Sequence, residues 1–344
     1  MKQLFSIFFL LAHVSLYAQK PDVTIVKKEF LFKEGQFFAQ CHASTIEETG
    51  DGTLLTSWFG GSHEGNKDVV IWGSSFNGKQ WSDPIVWADG RIDDTTQYPC
   101  WNPVLFRAKG DQEIHLYYKV GPNPREWWGM VKTSHDGGKT WGIAQKLPNG
   151  ILGPIKNKPI QLTNGDILSP SSVERTEERW VAHIEKSTDN QQTWQTFPID
   201  HHSPYNVIQP SILLHEEGKL QVLCRSKEGT VMSSWSSDQG ETWTPLMKTN
   251  LVNPNSATDA IRSGKHFFIV YNPDIPGKDW WDGRSKLRLA YSTDGMEWLD
   301  VLSFEDQEEG EFSYPTIFQD SRGFLHVTYT YNRKNIKHLI IQQQ

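Results

Sequence analysis

Four cations stand out among the polar segments of an otherwise acidic chain: Lys119, Lys158, Arg225 and Arg333, with Lys156 a further candidate. Gathered in one place they would hold a carboxylate or a sulfate, arginine through a two-pronged hydrogen bond. Each of six short apolar stretches ends in a polar or aromatic cluster that packing alone does not explain. The clusters are Trp58 to Glu64, Tyr118-Lys119, Ser171 to Glu174, Arg225-Ser226, Tyr271-Asn272 and Tyr329 to Arg333. Loop segments add His42, Trp101-Asn102-Pro103, Lys156 to Pro159, Gln209-Pro210, Asn253 to Ser256 and Glu311 to Pro315. Trp58, Trp101, Trp127 and Trp128 could stack on sugar rings, or serve as wedges in the core. Arg225 follows an apolar strand directly, which suits an anion site better than a surface ion pair.

The elements that must position these residues are repeats. Ser134-His-Asp136-Gly-Gly138-Lys-Thr140-Trp141 and Ser236-Ser-Asp238-Gln-Gly240-Glu-Thr242-Trp243 are near copies. Ser187 to Trp194 lacks the glycine, Ser292 to Trp298 is one residue short, and Ser74 to Trp81 is degenerate. Asp and Gly in this pattern build a hairpin turn, the Asp capping backbone N–H groups and the Gly accepting positive φ. These Asp residues are therefore read as structural. Independently, a Gly turn precedes a strand six times: Leu54–Trp58, Ile114–Tyr118, Ile167–Pro170, Leu220–Cys224, His266–Tyr271 and Phe324–Tyr329. Amphipathic helices of convincing length are missing between them, which argues against a parallel α/β fold. The spacing, about 54 residues per unit, is that of a four-stranded blade. The expectation is an all-β, six-bladed β-propeller, with Val23–Phe32 supplying a closing strand to the last blade. Equivalent strand ends then converge on one mouth of the central channel.

Composition bounds the rest. The 344 residues carry a formal net charge of -7, which speaks against a nucleic-acid-binding surface, and 15 Trp, 27 Gly and 18 Pro suit short strands and turns. Residues 1–18 read as a secretory signal: Lys2, a short apolar run from Leu4 to Val14, and Ala18. That run is too short to span a bilayer. The expectation is a single domain over residues 19–344, exported to the periplasm or medium, monomeric and not inserted in a membrane. Cys41, Cys100 and Cys224 read as small buried hydrophobes.

These motifs resemble the sialidase superfamily, the Asp-box propellers. The resemblance runs over essentially the whole chain after the signal, through His42 to Thr45, Trp58 to Asp68, Trp101 to Phe106, Gly153 to Pro159, Glu311 to Pro315 and His326 to Arg333. It implies three arginines on a substrate carboxylate, a Tyr nucleophile assisted by a Glu, and an Asp acid. Tyr314 fits the nucleophile, Glu174 its partner, Asp68 or Glu64 the acid, and Arg225 one arginine. Arg333 or Arg288 would supply another. Where the first arginine motif should stand, this chain has His42-Ala-Ser-Thr45.

Two chemistries follow for an acidic oligosaccharide. Elimination at a uronate needs a cation for the enolate, a base and an acid. Arg225 with Lys119 or Lys158 would hold the carboxylate, and His42, His338, Tyr314 and Tyr331 are the candidate base and acid. The leaving group would be a sugar (a lyase) or water (a dehydratase). Retaining hydrolysis in the sialidase manner would use Tyr314, Glu174 and Asp68 or Glu64. A sugar-binding propeller without catalysis is the third reading. Neither chemistry requires a cofactor or metal. Elimination is placed first because of the His42 replacement, with Trp58, Trp101, Asn102, Asn255 and Arg333 also lining the substrate.

Overall fold

The computed structural model describes residues 20–200, 202–279 and 281–343. The expected signal segment lies outside the described residues. Six four-stranded antiparallel sheets surround a central channel. Their innermost strands are Gln40–Glu48, Cys100–Phe106, Ile160–Gln161, Val207–Leu214, Asp259–Ser263 and Phe312–Gln319, defining blades one to six. The six strands anticipated from the Gly turns are the second strands of these blades, several running further than expected, as in Leu54–Gly61 and Ile167–Glu174.

Blade six is completed from the other end of the chain. Val23–Phe30 pairs antiparallel with Asn335–Gln343, so the N-terminal segment supplies the fourth strand of the last sheet and is itself that sheet's outer edge. The expected closing segment, Val23–Phe32, supplies this strand. The apolar faces are buried between blades rather than within them. Six core clusters form, one at each junction. Leu55, Phe59 and Ile71 meet Leu105, Leu116 and Tyr118 between blades one and two. Phe268, Val270 and Leu289 meet Ile317, Val327 and Leu339 between blades five and six.

The Asp boxes are the turns between third and fourth strands, at the end of the propeller opposite the ends of the second strands. In the best copy Ser134 Oγ donates to Asp136 at 2.8 Å, and Asp136 accepts from Thr140 N at 2.9 Å and Thr140 Oγ1 at 2.6 Å. The same bonds recur at Asp189 and Asp238. These bonds, led by the Thr140 hydroxyl, pull the Asp136 carboxyl down to about 2. Gly138 sits at φ 83, where a Cβ would collide with the Leu55 side chain of the preceding blade. The glycine thus does two jobs, a left-handed turn and a close approach. Cys41, Cys100 and Cys224 are all buried and free. Among the described residues no helix is long and apolar enough to cross a membrane.

Gly138→Ala should therefore lower unfolding free energy by about 2–3 kcal/mol, from left-handed strain plus overpacking against Leu55. Urea denaturation of the variant measures this.

Candidate active site at the channel mouth

Four inner strands break register at the same place near their start. The shifts fall between His42 and Thr45, Trp101 and Val104, Ile208 and Ser211, and Ser313 and Thr316. Each bulge holds a non-glycine residue at positive φ: Ala43 (57°), Asn102 (30°), Gln209 (53°) and Tyr314 (52°). In three of them the next residue is a proline, which has no N–H to give the ladder and so fits where pairing is interrupted. Positive φ in such residues costs about 1–3 kcal/mol each. The bulges lie at the channel end where the second strands finish.

Arg225 stands at the finishing end of one such second strand, opposite Ile208. Its Nε donates to Asn255 Oδ1 at 2.9 Å, and its Nη1 to the Tyr314 hydroxyl oxygen at 2.8 Å and to Gln209 Oε1 at 3.3 Å. The guanidinium also lies 5.4 Å from the Trp180 ring centre. All of these partners are neutral. The other two arginines of the mouth are differently engaged. Arg284, 1% exposed, donates to Glu311 Oε1 at 3.0 Å, while Arg333 donates to Glu311 Oε2 at 2.7 Å and to Glu64. Burial would raise the Glu311 carboxyl, but Arg333 and Arg284 together hold it below its ordinary range. Arg225 is thus the mouth arginine with no carboxylate within ion-pair distance among the described residues.

Tyr314 faces His42, with ring centres 4.0 Å apart. His42 is 1% exposed, and its Nδ1 is buried without a hydrogen-bond partner. Burial first, then the charges of Arg333, Arg284, Arg225 and Lys156, hold its imidazole well below the usual range. His42 is therefore neutral at neutral pH. Lys156 is buried beneath the Tyr314 bulge, donating to Pro315 O and, at 3.2 Å, to Thr258 O. Burial brings its ammonium down to about 8, against the pull of Asp259.

The remaining expected site residues divide. Asn255 and Arg333 join the mouth. Trp101 borders it, its Nε1 donating to Gly121 O at 2.8 Å and its ring packed on Phe59 and Trp127; Asn102 occupies the bulge beside it. Glu174 ends the second strand of blade three, its carboxyl raised by burial against the opposing pull of Arg225, and makes no hydrogen bond to Tyr314. Asp68 spends both oxygens on Ser62, accepting from its N and Oγ at 2.7 Å each, and so closes the loop that presents Glu64.

Six residues lie elsewhere. Lys119 is buried between blades, donating to Pro154 O at 2.7 Å, and burial lowers it to about 7. Lys158 is bound far down the channel, to Glu47 Oε2 at 2.9 Å and Leu105 O at 2.7 Å. His338 is enclosed with His326, Glu29 and Trp81 at the seam of the last blade. Trp58 is a core wedge stacked on Phe32, and Tyr331 packs between Phe30 and Phe312. Arg288 pairs with Asp300 and Asp306 on the outer strands of blade five, so the second candidate for a further arginine does not reach the mouth.

Arg284 was not anticipated. It sits in a polar loop after Gly283, where no apolar strand announces it; the local signal is Gly283 at φ 79, whose Cβ would meet Pro254 at 2.6 Å. Among the described residues no three His, Cys, Asp or Glu side chains gather as a metal site.

A family model described as a BNR repeat-like domain matches residues 52–327. No curated protein matches by sequence. Among solved structures, a protein of unknown function from Dyadobacter fermentans superposes with TM-score 0.74 at 16% identity, over 94% of this chain and 99% of that one. The Hadza microbial sialidase Hz136 gives 0.77 at 16% identity, over 90% and 67%. The NanB sialidase from Streptococcus pneumoniae gives 0.67 at 13% identity, over 91% and 69%. These likenesses establish a shared propeller fold.

Because its folded-state affinity for protons is depressed, neutral His42 contributes stability that is present above the ordinary imidazole range near pH 6.5 and is lost as pH falls below it. His42→Gln should flatten the decline of unfolding free energy as pH falls below about 6.5, relative to the parent protein. Denaturant titrations across that range decide it; an unchanged slope would mean His42 is not buried neutral.

Proposed function

The chain belongs to the BNR repeat-like family, and we propose that its mouth binds the carboxylate of a uronic-acid unit in an acidic oligosaccharide and carries out β-elimination there. The observation that carries the reading is that the titratable group packed against Tyr314 is a neutral imidazole rather than a carboxylate. Arg225, with its charge unmatched by an acid, receives the substrate carboxylate and stabilises the enolate as the C5–H bond breaks. Its Nη1 donates to the Tyr314 oxygen, leaving the Tyr314 O–H as a donor toward the mouth.

The proton leaving C5 is taken up at the His42–Tyr314 pair. The electrons of the C5–H bond form the C4–C5 double bond, the C4–O bond breaks, and the leaving oxygen takes the Tyr314 proton. Placing a proton on His42 beside three arginines and Lys156 is costly in the empty site. A bound carboxylate supplies the negative charge that offsets those cations, so substrate binding itself raises the basicity of His42. Export, as the N-terminal sequence suggests, would set this activity on polysaccharide fragments outside the cytoplasm.

Retaining hydrolysis of a terminal acidic sugar is the second reading, favoured by the sialidases that share this fold and by the Tyr314–Arg225 contact. It requires Tyr314 to lose its proton to a nearby carboxylate base, and Glu174, near enough to feel the charge of Arg225, makes no hydrogen bond to Tyr314.

Incubation with uronate- and sialate-containing oligosaccharides separates the two. Elimination predicts rising ultraviolet absorbance from the double bond conjugated to the carboxylate, and mass spectrometry then distinguishes chain cleavage from loss of water. Arg225→Ala and His42→Ala should each reduce this turnover by roughly 10²–10⁴-fold with the fold intact. A flat trace with a released terminal sugar, abolished by Tyr314→Phe and little affected by His42→Ala, would instead establish hydrolysis.

A further inference from the structure

A second cleft opens on the same face, between the outer part of blade one and blade two. Its volume is about 320 Å³, and Trp87, Asp89, Tyr118, Trp128 and Lys132 line it. It lies at the end of the outer strand Ile85–Ala88, the end of the second strand Ile114–Val120 and the start of Trp128–Ser134. A short run of neighbouring residues links the mouth to this cleft. Glu64, on Arg333, precedes Gly65, which stands over Trp101; Trp101 packs on Trp127 at 5.9 Å; and Trp128 is the next residue.

The lining has more hydrogen-bonding capacity than the protein uses. Tyr118 is 1% exposed, yet its hydroxyl has no hydrogen-bond partner among the described residues. Burial, with Cys100 and Asp89 adding to it, pushes that hydroxyl up, so it stays a donor. Asp89 accepts from Arg91 N at 3.0 Å and has no ion-pair partner among the described residues. Lys132 is half-buried, donates to Trp87 O at 2.7 Å and keeps two further N–H groups. The Trp128 indole is held as a wall by an edge-on Tyr98 ring at 5.5 Å and by the Lys146 ammonium at 5.1 Å.

We propose that this cleft is a second sugar-binding site, holding one ring of the oligosaccharide whose uronate occupies the mouth. The proposal rests on the reading that the mouth acts on an acidic oligosaccharide. A sugar ring presents hydroxyls around apolar faces. Asp89 accepts from such hydroxyls, Tyr118 and Lys132 donate to them, and Trp128 covers a C–H face. Ligand clefts run from about 300 to 1,000 Å³, so this one, at the small end, takes a single ring rather than a folded segment.

The test uses the full chain and glucuronate-containing oligosaccharides of two, four and six residues, with affinity measured by calorimetry and turnover on the same samples. Affinity should rise from the disaccharide to the hexasaccharide. The double variant Asp89→Asn, Tyr118→Phe should lose about 10-fold in hexasaccharide affinity, as expected for two hydrogen bonds, and none for the disaccharide. Equal hexasaccharide affinity in parent and variant, or no dependence on length in the parent, overturns the proposal. If the length-dependent gain is lost in the variant while no acidic sugar is turned over, the cleft stands and the reading of the mouth fails. If the disaccharide is turned over but the variant binds hexasaccharide like the parent, the mouth stands and the cleft fails.

Discussion

The site exists only because the ring closes. His42 and Glu64 come from blade one and Tyr314, Glu311 and Arg333 from blade six, and they meet across the seam sealed by Val23–Phe30 on Asn335–Gln343. The backbone joins at the same place. Cys41 N donates to Arg333 O at 2.7 Å, Ala43 N to Thr330 Oγ1 at 3.2 Å, and Ser44 Oγ to Thr328 Oγ1 at 3.0 Å. These bonds span nearly the length of the chain. They hold the imidazole against Tyr314 in a way that neither blade could alone.

Electrostatics follows from that placement. Three arginines and Lys156 surround one histidine, and the carboxylates of Glu311 and Glu64 answer Arg284 and Arg333 at hydrogen-bond range. Both are committed to Arg284 and Arg333. The surplus positive charge therefore sits on Arg225, whose amide and phenol partners orient it without cancelling it. An anion entering the mouth finds a cation already aimed and already desolvated on most sides, so little reorganisation accompanies binding. The strained bulges at Gln209 and Tyr314 are the backbone cost of that aim.

Much of the architecture was legible because the propeller repeats. The Ser–Asp–Gly–Thr–Trp boxes and the six Gly-led strands are local patterns whose physics is complete within ten residues, and Val23–Phe32 could be assigned to the last blade because that blade needs a fourth strand. Arg225 was legible for the same reason, at the end of an apolar strand. Lys119 and Lys158 obeyed that rule or sat nearby, yet Lys119 turns between blades and Lys158 down the channel. Which way a side chain leaves a strand end depends on the neighbouring blade, and that is not written locally. Arg284 escaped for the converse reason: a packing contact between Gly283 and Pro254, from two separate loops, seats it. The bulges escaped too, although the Asn102-Pro103, Gln209-Pro210 and Tyr314-Pro315 pairs mark them in retrospect.

The seam also sets an order of assembly. Contacts between residues so far apart in sequence form late and slowly, because the entropy of closing the long loop between them must be met before they contribute. Blades two to five can pack on their sequence neighbours while the first and last strands are still apart. During that interval the imidazole and the phenol are in separate places, and no competent mouth is present. The mouth is thus a property of the closed ring: with the two ends apart, His42 and Tyr314 are not in contact.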